Sequence, residues 1–134
     1  MQLRKKIAVG AFVLASSAAM AGLVGDLPVS VTLNGDGSGS AIGLMTTARQ
    51  SKNNVEYIGC GVRRFEDGLG GVFEYGFCQA STATAVVGFC ETENPGLIAS
   101  VGDLDDYSFI TFAWNAAGIC QSIGNSTQSQ YIPK

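Results

Sequence analysis

Hydrophobic and polar residues alternate along much of this chain, with the period of two that is typical of strands having one buried face. In the segment LPVSVTL at residues 27–33, every second residue is Leu or Val. Pro28 predicts that this strand lies at a sheet edge, because proline has no N–H to give to a neighbouring strand. Similar patterns predict strands over residues 41–48, 54–65, 72–80, 84–91, 107–114 and 119–123, and residues 129–132 are a candidate for closing the sheet.

Only one segment carries helix signals. Asn94 is a suitable N-cap, Pro95 fits the first helical position, and Leu97, Ile98 and Val101 follow at helical spacing. Glycine-rich turns separate the predicted strands. We therefore expect an all-β fold, an antiparallel sandwich or small barrel of about seven strands with one short helix near residues 95–101.

The first 21 residues have the features of a signal peptide. Arg4, Lys5 and Lys6 precede an apolar run over residues 7–19, and Ala19-Met20-Ala21 has the small–x–small pattern of a cleavage site. The run is too short to span a bilayer. We expect a bacterial protein that is secreted or periplasmic, with residues 1–21 removed, residues 22–134 forming a single domain, and no membrane insertion after removal.

Charge narrows the range of partners. Removing the signal peptide leaves five basic residues against eleven acidic ones. The only adjacent basic pair, Arg63-Arg64, points to opposite faces of a predicted strand. A chain with this balance has no electrostatic reason to bind nucleic acid, and we expect none to bind.

Four cysteines, Cys60, Cys78, Cys90 and Cys120, lie in the predicted exported domain, where an even number indicates a disulfide framework. Their wide spacing disfavours zinc, which prefers closely spaced pairs. If residues 54–65 and 72–80 form a hairpin with Phe65 opposite Phe73, Cys60 lies opposite Cys78. A register shifted by one residue places Phe77 opposite Cys60 instead. Four cysteines allow three connectivities, and of these we favour Cys60–Cys78 with Cys90–Cys120.

The cysteines and their neighbours also support a resemblance. The segments are YIGC at 57–60, CQA at 78–80, CET at 90–92, YSFITF at 107–112, GIC at 118–120 and SQYIP at 129–133. Together they resemble small exported proteins of proteobacteria that have no assigned activity. The resemblance implies export, two disulfides and a β-rich domain, and it transfers no catalytic residue.

The sequence gives little evidence for a catalytic site. The chain has no histidine, so no serine or cysteine triad can be completed with one. Glu91 and Glu93 are available carboxylates, but their predicted position beside a helix start is typical of solvated acids. We expect no catalytic residue, no cofactor and no enzyme activity.

Two loops are weak candidates for calcium, which takes several oxygen ligands. The first contains Asp103, Asp105 and Asp106. The second contains Asn34, Asp36 and Ser38, which echo an EF-hand loop, but Met45 stands where its final glutamate would be. Solvated loop acids are the simpler interpretation, and we expect no metal.

The aromatic residues are the remaining candidates for ligand contact. Tyr57, Phe73, Tyr75 and Phe77 fall on predicted strands, with Trp114 as a further candidate. Such rings can stack on sugar rings, although on sandwich strands they are more often part of the core. Our leading hypothesis is a non-enzymatic structural or interaction module that binds a protein or glycan outside the cytoplasm. The alternatives are a pilin-like fibre subunit, with residues 27–33 as the exchanged strand, and a small secreted hydrolase inhibitor.

Overall fold

In the computed structural model, which describes residues 22–133, seven strands form two antiparallel sheets. The strands are β1 (Ser30–Leu33), β2 (Gly39–Leu44), β3 (Tyr57–Glu66), β4 (Val72–Ser81), β5 (Val87–Thr92), β6 (Phe109–Trp114) and β7 (Cys120–Ser126). The helices are α1 (Met45–Gln50) and α2 (Pro95–Gly102), followed by a 3-10 turn at Ser129–Tyr131. The predicted signal peptide, residues 1–21, lies outside the described residues.

The two sheets pack face to face as a sandwich and do not close into a barrel. One sheet has the order β1-β2-β6-β7 and the other has the order β3-β4-β5. The core between them is drawn from both sheets, with Ile110 and Phe112 on β6 and Cys78, Ala80 and Cys90 on β4 and β5. The all-β prediction and the number of strands are confirmed, and the sandwich is the correct one of the two architectures.

Helix α2 was predicted and α1 was not. The side chain of Asn94 accepts hydrogen bonds from the backbone N–H groups of Gly96 and Leu97, and Ile98 and Val101 of the helix are buried. This is the cap and apolar face that the sequence indicates. Among residues 22–133, no helix is both long and apolar enough to cross a membrane.

Two predicted strands are wrong in part. Residues 41–48 form a strand only as far as Leu44, which pairs with Phe109, the first residue of β6. Beyond that point no partner strand continues, and the chain turns into α1. Residues 129–132 form the 3-10 turn instead of a strand, with Tyr131 N–H donating to the Gln128 carbonyl.

Strand β1 lies at a sheet edge as predicted, but it is shorter than residues 27–33. Of its predicted apolar face, Val29 is buried, whereas Leu33 is 58% exposed. Leu33 pairs with Gly39 at the end of the strand.

The disulfides are Cys60–Cys78 and Cys90–Cys120, as predicted. Phe65 lies opposite Phe73 and Cys60 opposite Cys78, which is the first of the two registers considered. Cys78 is also the register partner of Cys90. The first bridge therefore joins neighbouring strands of one sheet, and the second joins β5 to β7 of the other sheet. Two such bridges are typical of a protein in an oxidising compartment.

Candidate binding surface

Six aromatic side chains lie on the solvent side of the β3-β4-β5 sheet. Strand alternation places them there, because the cysteines of these strands occupy the opposite, core-facing positions. We call this surface the aromatic face, and it consists of Tyr57 and Phe65 on β3, Phe73, Tyr75 and Phe77 on β4, and Phe89 on β5. Phe65, Phe73 and Phe89 are each about half exposed, at 51%, 48% and 49%.

Tyr75 is the centre of the aromatic face. Its ring centroid lies 6.1 Å from that of Phe65 and 6.2 Å from those of both Phe73 and Phe77. The guanidinium carbon of Arg63 lies 5.2 Å from the centroid of the Phe77 ring, within the range of a cation–π contact. The rings of Phe65, Phe73, Tyr75 and Phe77 therefore form one contiguous patch, and the positive charge of Arg63 lies beside Phe77.

Half of the β3–β4 hairpin extends past the end of β5. The pairing of β4 with β5 runs from Ser81 to Gly76, whereas its pairing with β3 continues to Val72. Strand β5 ends at Thr92 because Asn94 and Pro95 begin helix α2. The hairpin beyond Gly76 is thus a two-stranded arm, and a 2.7 Å ion pair between Arg64 and Glu74 joins its strands.

The arm leaves backbone groups of β4 without a strand partner. The Cα atoms of Cys60 and Cys78 are 4.0 Å apart, the close spacing of a pair that does not exchange hydrogen bonds. The N–H and C=O groups of even-numbered residues on β4 therefore point away from β3. Beyond Gly76 these residues are Glu74 and Val72. Among residues 22–133, their backbone groups have no partner strand on that side.

A cleft of about 600 Å³ opens beside this unpaired edge. Its lining combines apolar and acidic side chains: Phe73, Tyr75, Glu91, Thr92, Glu93 and Ile119. Both glutamates are exposed. We call this feature the edge cleft, and it shares two rings with the aromatic face.

Four of the five aromatic candidates lie on the aromatic face, and one does not. Tyr57, Phe73, Tyr75 and Phe77 are on it, but Trp114 is buried at 6% exposure, and its indole N–H donates to the Gly37 carbonyl. The prediction that Trp114 is available to a ligand is therefore wrong. The opposite face of β6, which carries Phe109, Thr111 and Ala113, is the more exposed one.

Sequence reasoning missed Phe65 and Phe89 as members of the aromatic face. The signal was present for both. Phe65 follows from the register that pairs Cys60 with Cys78, and Phe89 adjoins the buried Cys90 and must point the other way.

The acidic loops are not arranged as ligand sets. Within residues 22–133, no three His, Cys, Asp or Glu side chains come close enough to hold a metal ion. Asp105 is engaged within its own loop, where its carboxylate accepts from the Asp106 N–H and its own N–H donates to the Ser108 hydroxyl. The structure therefore does not bring Asp103, Asp105 and Asp106 together as calcium ligands.

Asp36 in the other loop is a turn residue. The Ser38 hydroxyl and the Ser38 backbone N–H both donate to its Oδ1, at 2.6 and 2.9 Å. These two hydrogen bonds, the hydroxyl first, hold the pKa of the Asp36 carboxyl below its usual value of 3.8. The carboxylate thus serves the tight turn between β1 and β2.

Comparison of the chain with protein-family models, with curated proteins and with solved structures finds no significant match.

Proposed function

We propose that this protein is a non-enzymatic interaction module that acts outside the cytoplasm, secreted or in the bacterial periplasm, and binds a protein or glycan through the aromatic face. The observation that carries the proposal is the contiguous set of half-exposed rings around Tyr75. Aromatic side chains are enriched where proteins recognise partners.

The exposure of these rings is the unusual feature. The fold already has a core, which lies on the other side of the same sheet. Each aromatic side chain can bury roughly 150–250 Å², and contiguous apolar patches beyond a few hundred Å² are uncommon on monomers without a binding role. A partner that covers the aromatic face would remove this apolar surface from water, which is favourable by about 25 cal/mol per Å².

The two bridges support the location and the kind of function. They favour an oxidising compartment. Cys60–Cys78 links β4 to β3, and Cys90–Cys120 links β5, the other neighbour of β4, to β7. A binding surface on a rigid strand loses little conformational entropy when its partner binds. Strand β1, in contrast, pairs with β2 in its own sheet, and no observation favours its use as an exchanged strand in a fibre.

The proposal is tested with a double variant, Phe73→Ser with Tyr75→Ser, screened against a glycan array and a displayed random-peptide library. Leu33→Ser is the matched control, because Leu33 is an exposed apolar residue on the other sheet. We expect ligands of the native protein to bind the double variant at least about tenfold more weakly and the control equally well. Ligands that bind all three proteins equally, or a screen without a micromolar ligand, would contradict the proposal.

A further inference from the structure

We infer that the partner is an extended polypeptide segment that adds a strand to the free edge of β4 and places a lysine or arginine against Glu91 and Glu93. This inference rests on the proposed function and specifies which of its two partner classes binds. Three independent features of the edge cleft support it: its backbone groups, its apolar wall and its charge.

The backbone of β4 is the first feature. Strand β5 occupies one side of β4 as far as Gly76 and then leaves, so no strand formed by residues 22–133 lies beside Glu74 and Val72. Each of these two residues directs one N–H donor and one C=O acceptor to that side. A segment of about four residues in extended conformation satisfies all four groups, as in other cases of strand addition. A sugar has no comparable repeat of donors and acceptors.

The apolar wall is the second feature. Phe73 and Tyr75 flank Glu74 on the strand, and their rings line the cleft together with Ile119. Side chains of an added strand alternate between its two faces. Every second residue of the ligand therefore meets these rings, and we expect it to be apolar.

Charge is the third feature, and it predicts the lysine or arginine of the ligand. Glu91 and Glu93 line the cleft, and no basic side chain from the described residues 22–133 does. The basic residues nearest in sequence are Arg63 and Arg64 on β3, and they are engaged with the Phe77 ring and with Glu74, respectively. A cationic residue on the ligand is complementary to the two glutamates, whereas an acidic residue would be repelled.

The longer edge of β3 is a competing place for strand addition. The backbone groups of Ile58, Cys60, Val62 and Arg64 also point away from β4 by the same alternation. Two adjacent arginines lie on that edge, and charged residues are a common protection of exposed edges. The edge cleft is the preferred site because it combines a free edge with a cavity of complementary charge.

The test begins with selection of binding peptides from a random heptapeptide display library. The selected peptides are then synthesised with blocked termini, and their affinity for the protein is measured by calorimetry. We expect alternating apolar residues with one lysine or arginine at a fixed position. The variant Glu91→Gln with Glu93→Gln should weaken binding about three- to tenfold. Its matched control, Asp103→Asn with Asp105→Asn, removes two charges outside the cleft and should leave the affinity unchanged.

Two measurements test the strand addition itself. A peptide methylated on the backbone nitrogens that face β4 should bind about tenfold more weakly. On binding of the unmodified peptide, hydrogen exchange should slow at the Val72 and Glu74 amides and remain unchanged at those of Ile58, Cys60, Val62 and Arg64.

The results that would contradict this inference differ from those that would contradict the proposed function. Protection of the β3 amides, indifference to backbone methylation, or peptides without a basic residue would overturn the inference, as would an array in which only glycans bind. In each of these cases the proposed function stands if Phe73→Ser with Tyr75→Ser still abolishes binding. If that variant binds every ligand normally, the proposed function fails as well.

Discussion

At the residue scale, Trp114 determines which side chains its neighbours can have. A Cβ atom built on Gly88 would lie 2.7 Å from Cη2 of the indole, and one built on Gly39 would lie 2.5 Å from Cζ2. Each glycine lets the ring lie directly against a strand backbone. Because protein interiors are close-packed, these positions have little room to adjust.

The variant Gly88→Ala should therefore lower the free energy of unfolding by about 1–3 kcal/mol, the usual range for overpacking a core. Gly59→Ala is the matched control, since Gly59 is also on a strand and a Cβ there meets nothing within 4 Å. We expect the control to change stability by less than about 0.5 kcal/mol. Urea unfolding followed by the fluorescence of Trp114, the single tryptophan, measures both, and equal effects would contradict the packing argument.

Asp36 gives a prediction about pH. Its carboxyl should titrate below 3.8 in the folded protein, because the ionised form accepts two hydrogen bonds from Ser38. A pKa lowered by folding stabilises the fold above the unfolded value, and that contribution is lost as pH falls through the folded pKa. Ser38→Ala should raise the midpoint measured by carbon NMR, whereas Ser40→Ala, on the exposed side of β2, should not. A midpoint unaffected by Ser38→Ala would be evidence against this assignment.

Single residues also show where sequence reasoning succeeds and where it stops. Alternation separates Phe73 from Cys78 correctly, because a disulfide cysteine marks the inner face of its strand. On β6 both faces are apolar, and no cysteine or charge marks either one. The burial of Ile110, Phe112 and Trp114 follows only from how the second sheet packs.

At the element scale, the arm of the β3–β4 hairpin lies beyond the three-stranded part of its sheet. Its two strands pair only with each other beyond Gly76, and its tip is exposed, with Leu69 at 92%. The length of the hairpin is predictable from the register of the cysteines. The end of β5 is predictable too, because Asn94 and Pro95 begin helix α2 almost directly after it.

Amide hydrogen exchange should alternate along the arm. The N–H groups of Phe73 and Tyr75 donate toward β3, whereas those of Val72 and Glu74 face the open side. We expect exchange at least tenfold slower at the first two than at the second two, because exchange requires the hydrogen bond to open. Gly76 and Cys78, which have the parity of Val72 but pair with β5, are the internal control and should be protected. Uniform rates along residues 72–75 would refute the assigned alternation.

The boundary between β2 and α1 shows a limit of prediction from hydrophobic periodicity. The apolar run that begins in β2 passes into α1 at Leu44 without a proline or a side-chain cap. The end of the partner strand decides the change from strand to helix there. The local sequence cannot predict this change from strand to helix, because it depends on where β6 begins, more than sixty residues away.

At the scale of the whole molecule, the two disulfides connect different parts of the fold. Cys60–Cys78 joins strands that already share a ladder, whereas Cys90–Cys120 joins the two sheets and closes the longer loop, with a sequence separation of 30 against 18. Chain entropy alone assigns each bridge about 3–4 kcal/mol, and the larger share goes to the longer loop.

The double variant Cys90→Ala with Cys120→Ala should therefore lose more stability than Cys60→Ala with Cys78→Ala. We expect a loss of about 3–4 kcal/mol for the first, together with a further loss because both of its cysteines are buried. Urea unfolding of the two variants and the native protein gives the order directly. Double variants avoid the free thiol that a single change would leave. The reverse order would show that the sheets hold together without their link.

The position of Cys78 between Cys60 and Cys90 also has a consequence for how the protein matures. Cys78 is the ladder neighbour of both, so a β4–β5 hairpin that forms while Cys78 is still reduced brings it next to the wrong thiol. A Cys78–Cys90 bridge would leave Cys60 and Cys120 unpaired and the sheets without a covalent link. Oxidation in chain order avoids this error, because Cys60 and Cys78 come first and are a native pair, which leaves Cys90 for Cys120. The order of the cysteines along the chain thus favours the native pairs, whereas refolding of the full reduced chain offers Cys78 two ladder neighbours.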